Sequence, residues 1–351
     1  MDGELAVSDP FAWPVVLGPL LHREDLSEDQ AADAMRSVLA GEATPAQIAA
    51  FATGLRIKGE TATEMHGLVR AMLAAAAPLP VPGPLLDTCG TGGDRAGTLN
   101  VSTLAALVAA GAGQRVAKHG NRAASGRCGS ADLLEALGVA IALPPEGVAA
   151  TLEEVGIGFC FAPVFHPAMR HTAVPRRELG VPTVFNFLGP LTNPARAEHQ
   201  ALGVADPRMA PIMAEVLRRT GSRHAIVLYG HDGLDELTTT TTSTMLDVSA
   251  DGVRELIVDP VELGIPAAEP ADLLGGDVDR NVAIAKEVLA GHGGPARDMV
   301  LLNTAAALVA ADAAISLMDG MEAAARSIDQ GRARDTLDAW VEASRRLAAD
   351  A

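Results

Sequence analysis

Apolar positions along the chain fall into two regimes, one of helical spacing and one of short runs. Three capping boxes open the first regime. Ser27-Glu28-Asp29-Gln30 predicts a helix ending near Gly41. Thr44-Pro45-Ala46-Gln47, with Pro45 at the first helical position, predicts a second ending near Gly59. Thr61-Ala62-Thr63-Glu64 predicts a third, stopped by Pro78, and a shorter helix is expected over Phe11–His22. Together they form an all-α unit. Leu79–Pro84 (LPVPGP) reads as a linker. Beyond it, short apolar runs at Leu85–Thr88, Arg115–Ala117, Val139–Leu143 and Gly158–Phe161 alternate with helices. The alternation resumes with Ala201–Ala205, a helix over Pro207–Thr220 and Ala225–Tyr229. Such runs predict parallel strands buried on both faces. Met245–Val248 and Arg254–Val258, joined by Asp251-Gly252, read as a hairpin. Helices are expected over Val278–Ala290, Ala296–Ala311, Met318–Asp329 and Arg332–Ala348. The fold class is therefore α/β: a small all-α N-terminal domain plus a large α/β domain with a mainly parallel central sheet. His166–Pro194 interrupts it with five prolines and no strand run, and reads as an irregular helical insertion.

Composition narrows the function. A chain of 351 residues suits about two domains. A net charge of −17 opposes nucleic acid or an anionic membrane as partner, since both need basic patches. An acidic protein with an anionic ligand must gather its cations locally or recruit a metal. The three cysteines, Cys89, Cys128 and Cys160, show no CxxC spacing and read as reduced thiols of a cytoplasmic protein. Met1–Pro10 has no positive n-region, and no apolar run approaches the length of a membrane span.

Two loops carry the candidate chemistry. Asp87–Thr103 (DTCGTGGDRAGTLNVST) opens onto a helical run at Val101. Glycines let backbone approach a ligand, and a helix N-terminus offers N–H groups to an anion. Taken alone, GTGGD fits a glycine-rich turn capped by Asn100 or Ser102 equally well. The second loop, Lys118–Asp132 (KHGNRAASGRCGSAD), also leads from a strand into a helix, and adds Lys118, Arg122 and Arg127. Anionic ligands of open α/β sheets sit at the carboxyl ends of strands. Two such loops point to one highly charged ligand, such as a sugar bearing both a phosphate and a pyrophosphate. Asp235-Glu236, in GLDELTTTTTS past another strand, suits magnesium, a hard cation that prefers oxygen.

GTGGD with NVST, KHGNRAASG with GSAD, and VFNFLGPLTNP resemble the anthranilate phosphoribosyltransferases of tryptophan biosynthesis, in order and spacing, from about Ser27 to the C-terminal helices. The resemblance implies magnesium-dependent transfer of ribose 5-phosphate from phosphoribosyl pyrophosphate to the amine of anthranilate. It places the donor on Gly90, Gly93, Asp94, Thr98, Asn100, Val101, Ser102 and Thr103, and on Lys118, His119, Gly120, Asn121, Arg122, Ala123, Ala124, Ser125, Gly126 and Ser130. It places anthranilate on Gly90, His119, Asn121, His166, Arg176, Gly189 and Pro190, and magnesium on Ser102, Asp235 and Glu236. Arg176 would grip the anthranilate carboxylate, while its neighbour Arg177 reads as half of a structural ion pair. Pro175 is expected to disfavour helix at Val174. Asp94, a carboxylate in a phosphate loop, reads as a ribose contact or a shaper of the loop. The implied domains are 10–78 with 163–196, helical and on the acceptor side, and 80–162 with 197–351, carrying the donor and the metal. A homodimer through the helical domains is likewise implied.

The expected reaction is a displacement at the anomeric carbon with oxocarbenium character. An aromatic amine is already a nucleophile at neutral pH, so no catalytic base and no covalent intermediate are expected. Positioning and charge neutralisation carry the rate. Two rivals share features with this reading. A pyrimidine nucleoside phosphorylase would also contain FNFLGPLTNP, whereas KHGNR together with Asp235-Glu236 favours the transferase. A non-catalytic nucleic-acid-binding relative is opposed by the charge.

Overall fold

The structure, a computed structural model, describes residues 11–123 and 127–350. Seven strands make one sheet: β1 Leu86–Gly90, β2 Val116–Gly120, β3 Ile157–Phe161, β4 His199–Gly203, β5 His224–Gly230, β6 Ser243–Ser249 and β7 Gly252–Val258. Their order is β3-β2-β1-β4-β5-β6-β7. The first five run parallel, and β6 and β7 close the edge as the antiparallel hairpin that the sequence announces. The parallel strands are buried along nearly their whole length, as their unbroken apolar runs require. The chain proceeds from β1 outward through β2 and β3, then returns to place β4 on the other side of β1. This reversal makes the β1–β4 seam the sheet's topological switch point, where α/β proteins open a ligand crevice.

Helices cover the sheet. α5 (Val101–Gly111) follows β1 and packs beneath α13 (Pro295–Ala310) and α15 (Arg332–Ala349). α6 (Ser130–Leu137) and α7 (Pro145–Glu154) lie between β2 and β3. α11 (Ala210–Arg219), α12 (Val278–Leu289) and α14 (Leu317–Asp329) complete the set. The core is aliphatic, with Leu104, Leu107, Ile226 and Leu302 fully buried. Each such side chain contributes roughly 1.5–3 kcal/mol by leaving water.

Val139–Leu143, expected as a strand, is a turn-containing loop. Gly138 ends α6 in the left-handed conformation at φ 106°, and Pro144-Pro145 starts α7 six residues later, which leaves no length for pairing. Val139, Ile141 and Leu143 are buried nonetheless, so the apolar signal marks burial rather than strand.

By contacts the chain separates into two compact units. One comprises the described residues through Ala75 with Ala168–Phe185, the other Ala76–Pro167 with the chain from Asn186 onward. The first holds α1 (Trp13–Leu21), α2 (Glu28–Ala40), α3 (Pro45–Lys58) and α4 (Ala62–Ala75). Ser27 and Thr44 make reciprocal capping boxes with Gln30 and Gln47, and Thr61 does so with Glu64. The proline-rich stretch forms only short helical pieces: α8 (Ala162–Phe165), α9 (Ala173–Leu179), α10 (Phe185–Leu188) and 3-10 turns. α9 packs on α3. It includes Val174, contrary to the sequence expectation. Pro175 stands in the first turn, where its missing N–H has no intrahelical partner to lose. Among the described residues, no helix is long and apolar enough to cross a membrane.

Candidate active site

At the switch point, Gly90 of β1 pairs with Gly203 of β4 at the strands' carboxyl ends. Both must be glycine. A Cβ on Gly90 would lie 2.4 Å from Asp235 Oδ2, and one on Gly203 would lie 1.6 Å from Asp235 O. The two bare positions let the Asp235 loop settle onto the strand ends. Gly92 N–H then donates to Asp235 Oδ2 at 2.7 Å. Gly92, Gly93 and Gly97 turn the first loop with φ of 62°, 90° and 66°.

This folding brings Asp94 beside Asp235 and Glu236, with one carboxylate oxygen of each within 4.8 Å of the others. The sequence alone keeps Asp94 apart from the metal pair, as a ribose contact or a shaper of the loop. Its Oδ1 does accept Ala96 N–H at 3.3 Å, so it shapes the loop as well. Burial, with the charge of Asp94 adding, pushes Asp235 up to about 6. Burial and then Asp235 push Glu236 well above the usual carboxylate range. Glu236 Oε2 is buried with no hydrogen-bond partner. Three crowded carboxylates, one with an orphaned oxygen, fit a cation, and an all-oxygen donor set suits magnesium. A recess of ≈ 20 Å³ lies against Thr88, Cys89, Ser102, Asp235, Glu236 and Asn303, which is room for about one water-sized body.

Lys118 belongs to the buried end of β2 rather than to a loop, at 1% exposure. Its ammonium donates to Thr88 O at 2.6 Å and Ser102 Oγ at 3.3 Å. Burial lowers its pKa, while Asp87 and Glu236 oppose that shift. Asp87, fully buried on β1, accepts His119 N–H at 3.0 Å and Gln200 Nε2 at 3.4 Å. Sequence reasoning misses Asp87 and Gln200, since a buried support carries no motif of its own.

At the start of α5, Val101 N–H donates to Leu99 O at 2.8 Å and Leu104 N–H to Asn100 O at 3.2 Å, which leaves the N–H groups of Ser102 and Thr103 to face an anion. Asn100 stands at the N-cap but makes no side-chain cap bond, so neither it nor Ser102 is the plain cap of the bland reading. Val101 and Thr103 are buried, and Thr103 Oγ1 has no partner. Thr98 bridges to Leu274. In the second loop, Gly120 is crowded by Ser130 Oγ, 2.3 Å from where a Cβ would stand, and Ser130 Oγ donates to Asn121 O at 3.2 Å. Asp132, another unanticipated support, accepts N–H from Ala123 and Gly129 at 3.0 and 2.9 Å. The guanidinium of exposed Arg122 is held by Asp132 and Glu135. Ala124, Ser125 and Gly126 lie outside the described residues.

On the acceptor side, His119 Nδ1 meets Gly189 O at 3.0 Å, so Nδ1 carries the proton and Nε2 is a buried, unpartnered acceptor. Burial, with His166 nearby, lowers the pKa of His119 to about 3. The His166 ring lies 5.2 Å from that of His119 and meets Thr192 O at 2.9 Å through Nε2. Pro190 O accepts from Gln200 Nε2 at 2.6 Å. In the helical unit, Arg176 is half-buried on α9 with no carboxylate partner among the described residues, and burial alone lowers its pKa. A half-buried guanidinium with no counter-ion among the described residues suits an anionic ligand. Arg177, expected in a structural pair, is exposed and makes no ion pair among the described residues. Asp232 accepts from Thr238 Oγ1 and Thr240 Oγ1 and stays out of the carboxylate cluster.

Comparison with known proteins matches both parts of the chain. Residues 15–76 match the glycosyl transferase family helical bundle domain, and residues 82–334 match that family's a/b domain. Anthranilate phosphoribosyltransferase of Acidothermus cellulolyticus is 59% identical over 343 residues, spanning 96% of each chain. The crystal structure of the Thermus thermophilus enzyme of that name superposes with a TM-score of 0.89 at 45% identity, over 94% of this chain and 99% of that one. The Saccharomyces cerevisiae enzyme in complex with PRPP and Mg gives 0.86 at 28% identity, over 95% and 98%. With 59% identity over 96% of the chain and both parts matched by the family's two domains, the chain belongs to the anthranilate phosphoribosyltransferase family.

Proposed function

We propose that the protein transfers the 5-phosphoribosyl group of phosphoribosyl pyrophosphate to the amine of anthranilate, releasing pyrophosphate, with magnesium as cofactor. The observation that carries this reading is the three-carboxylate cluster at the β1–β4 switch point, beside two glycine loops that open onto helix N-termini. The yeast relative's complex with PRPP and Mg supports it.

Asp94, Asp235 and Glu236 would hold magnesium, with Ser102 as a neutral oxygen ligand, and the ion would supply positive charge against the pyrophosphate. The first loop and the α5 N-terminus bind the diphosphate through backbone N–H groups. Lys118, buried behind Ser102, adds a fixed positive charge that needs no reorganisation during the reaction. Arg176 orients the acceptor through its carboxylate. Neutral His119 presents no positive charge to the amine and leaves its nucleophilicity intact.

The protein works in the cytoplasm as a homodimer through its helical unit. Free thiols at Cys89, Cys128 and Cys160 and exposed apolar side chains at Val15, Leu21 and Ile57 support these two statements. The deciding experiment follows anthranilate fluorescence with and without phosphoribosyl pyrophosphate and magnesium. Loss that needs both is expected. Phosphorolysis of thymidine or uridine in its place would establish the nucleoside phosphorylase reading.

A further inference from the structure

The first donor loop is joined to two distant segments through one side chain. Asn100 Nδ2 donates to Cys128 O of the second loop at 3.3 Å and to Asn281 Oδ1 on α12 at 3.2 Å. Both N–H groups of that amide are therefore committed. Asn281 is 3% exposed, and its own Nδ2 donates to Gly276 O at 3.2 Å and Asp277 O at 3.0 Å. Those two carbonyls fix the amide orientation and leave Oδ1 facing Asn100. A short backbone pairing runs alongside. Leu99 N–H donates to Leu273 O at 3.0 Å, and Gly275 N–H to Gly97 O at 2.9 Å. Gly275 permits this approach, since a Cβ there would lie 2.7 Å from Thr98 O and 2.9 Å from Asn281 Oδ1.

We propose that Asn281 is a positioning residue for the donor site, which through Asn100 holds the two glycine loops at a fixed separation. The inference rests on reading those loops as the phosphoribosyl pyrophosphate site. Asn281 lies 181 positions from Asn100 in sequence and outside both loop motifs. Its contribution is geometric: Asn100 and the Cys128 carbonyl are held at a spacing set before the diphosphate arrives.

The test is calorimetric titration with phosphoribosyl pyrophosphate and magnesium, beside steady-state kinetics, for Asn281→Ala, Asn100→Ala, the double variant and Gly275→Ala. Asn281→Ala should weaken donor binding about 3- to 10-fold, the loss of one net hydrogen bond. The anthranilate KM should move less than twofold. The double variant should be no worse than Asn100→Ala, because Asn281 acts through that side chain. Gly275→Ala crowds the same tie from outside and should show the same split. Equal losses for donor and acceptor, or losses that multiply in the double variant, would overturn the proposal. Should Asn281→Ala fail to fold, Gly275→Ala decides, and unchanged donor affinity there overturns it. Calorimetry reports the tie, and anthranilate consumption by the parent protein reports the function, so the two can fail separately.

Discussion

Gly203 lies directly under Asp235, and the missing side chain of the glycine is what lets the carboxylate loop rest on the sheet. Gly203→Ala introduces an atom 1.6 Å from Asp235 O, so the loop must lift. Turnover should fall at least tenfold, and more magnesium should be needed for half-maximal rate. A magnesium titration of activity checks this. An unchanged magnesium response would detach the loop from the metal.

The crowded carboxylates give magnesium a stability signature. A cation that binds only the folded state stabilises by mass action, about 2.7 kcal/mol at a hundred times its dissociation constant. Thermal unfolding of the parent should shift upward with magnesium. Asp235→Asn with Glu236→Gln should lose that shift, together with turnover, while unfolding in chelator at a temperature no lower than the parent's.

Arg176 should dominate acceptor recognition. A hydrogen bond to a charged group is worth about 1.5–3 kcal/mol, or roughly 10- to 100-fold in affinity. Arg176→Ala should raise the anthranilate KM by that factor and leave the donor KM nearly unchanged. Aniline should be a poor acceptor for the parent and lose little further in the variant.

His119 should make the fold acid-sensitive. Its pKa falls from 6.5 in the unfolded chain to about 3 in the fold, so the unfolded state binds the proton first. The neutral ring's contribution is complete above about pH 6.5 and is lost as pH falls toward 3. At pH 5 the cost is about 2 kcal/mol, at about 1.36 kcal/mol per unit. His119→Asn removes the titration, so the parent should lose stability relative to this variant between pH 7 and 5, as read from urea midpoints.

Much of this site is legible along the chain, because glycine loops at strand ends and adjacent carboxylates keep their chemistry within a few residues. Asp235-Glu236 is read that way, and so are the three capped helices. Asp94 is not, because its partners are 141 and 142 positions away and only the β1–β4 seam unites them. Lys118 reads as a loop cation but is strand-borne and buried, since a long side chain can point its charge inward beneath a ligand site. Val139–Leu143 fails for the opposite reason: apolarity reports burial, and a loop between two helices can be buried too. Asp87, Gln200 and Asn281 hold other residues rather than ligand, and nothing in their local sequence marks that duty.

The helical unit is discontinuous, with α9 supplied from residues 168–185 and packed on α3. Its order of assembly therefore departs from chain order. When Ala75 emerges during synthesis, that unit is still missing a piece, and β1, β2 and β3 are made before the piece arrives. The nascent N-terminal helices must wait with an uncovered apolar face for roughly another hundred residues, at about 5–20 residues per second. For some seconds in every round of translation, a fragment ending before Phe185 is a target for chaperones and proteases, and truncations placed there should be found in aggregates rather than as a folded helical domain.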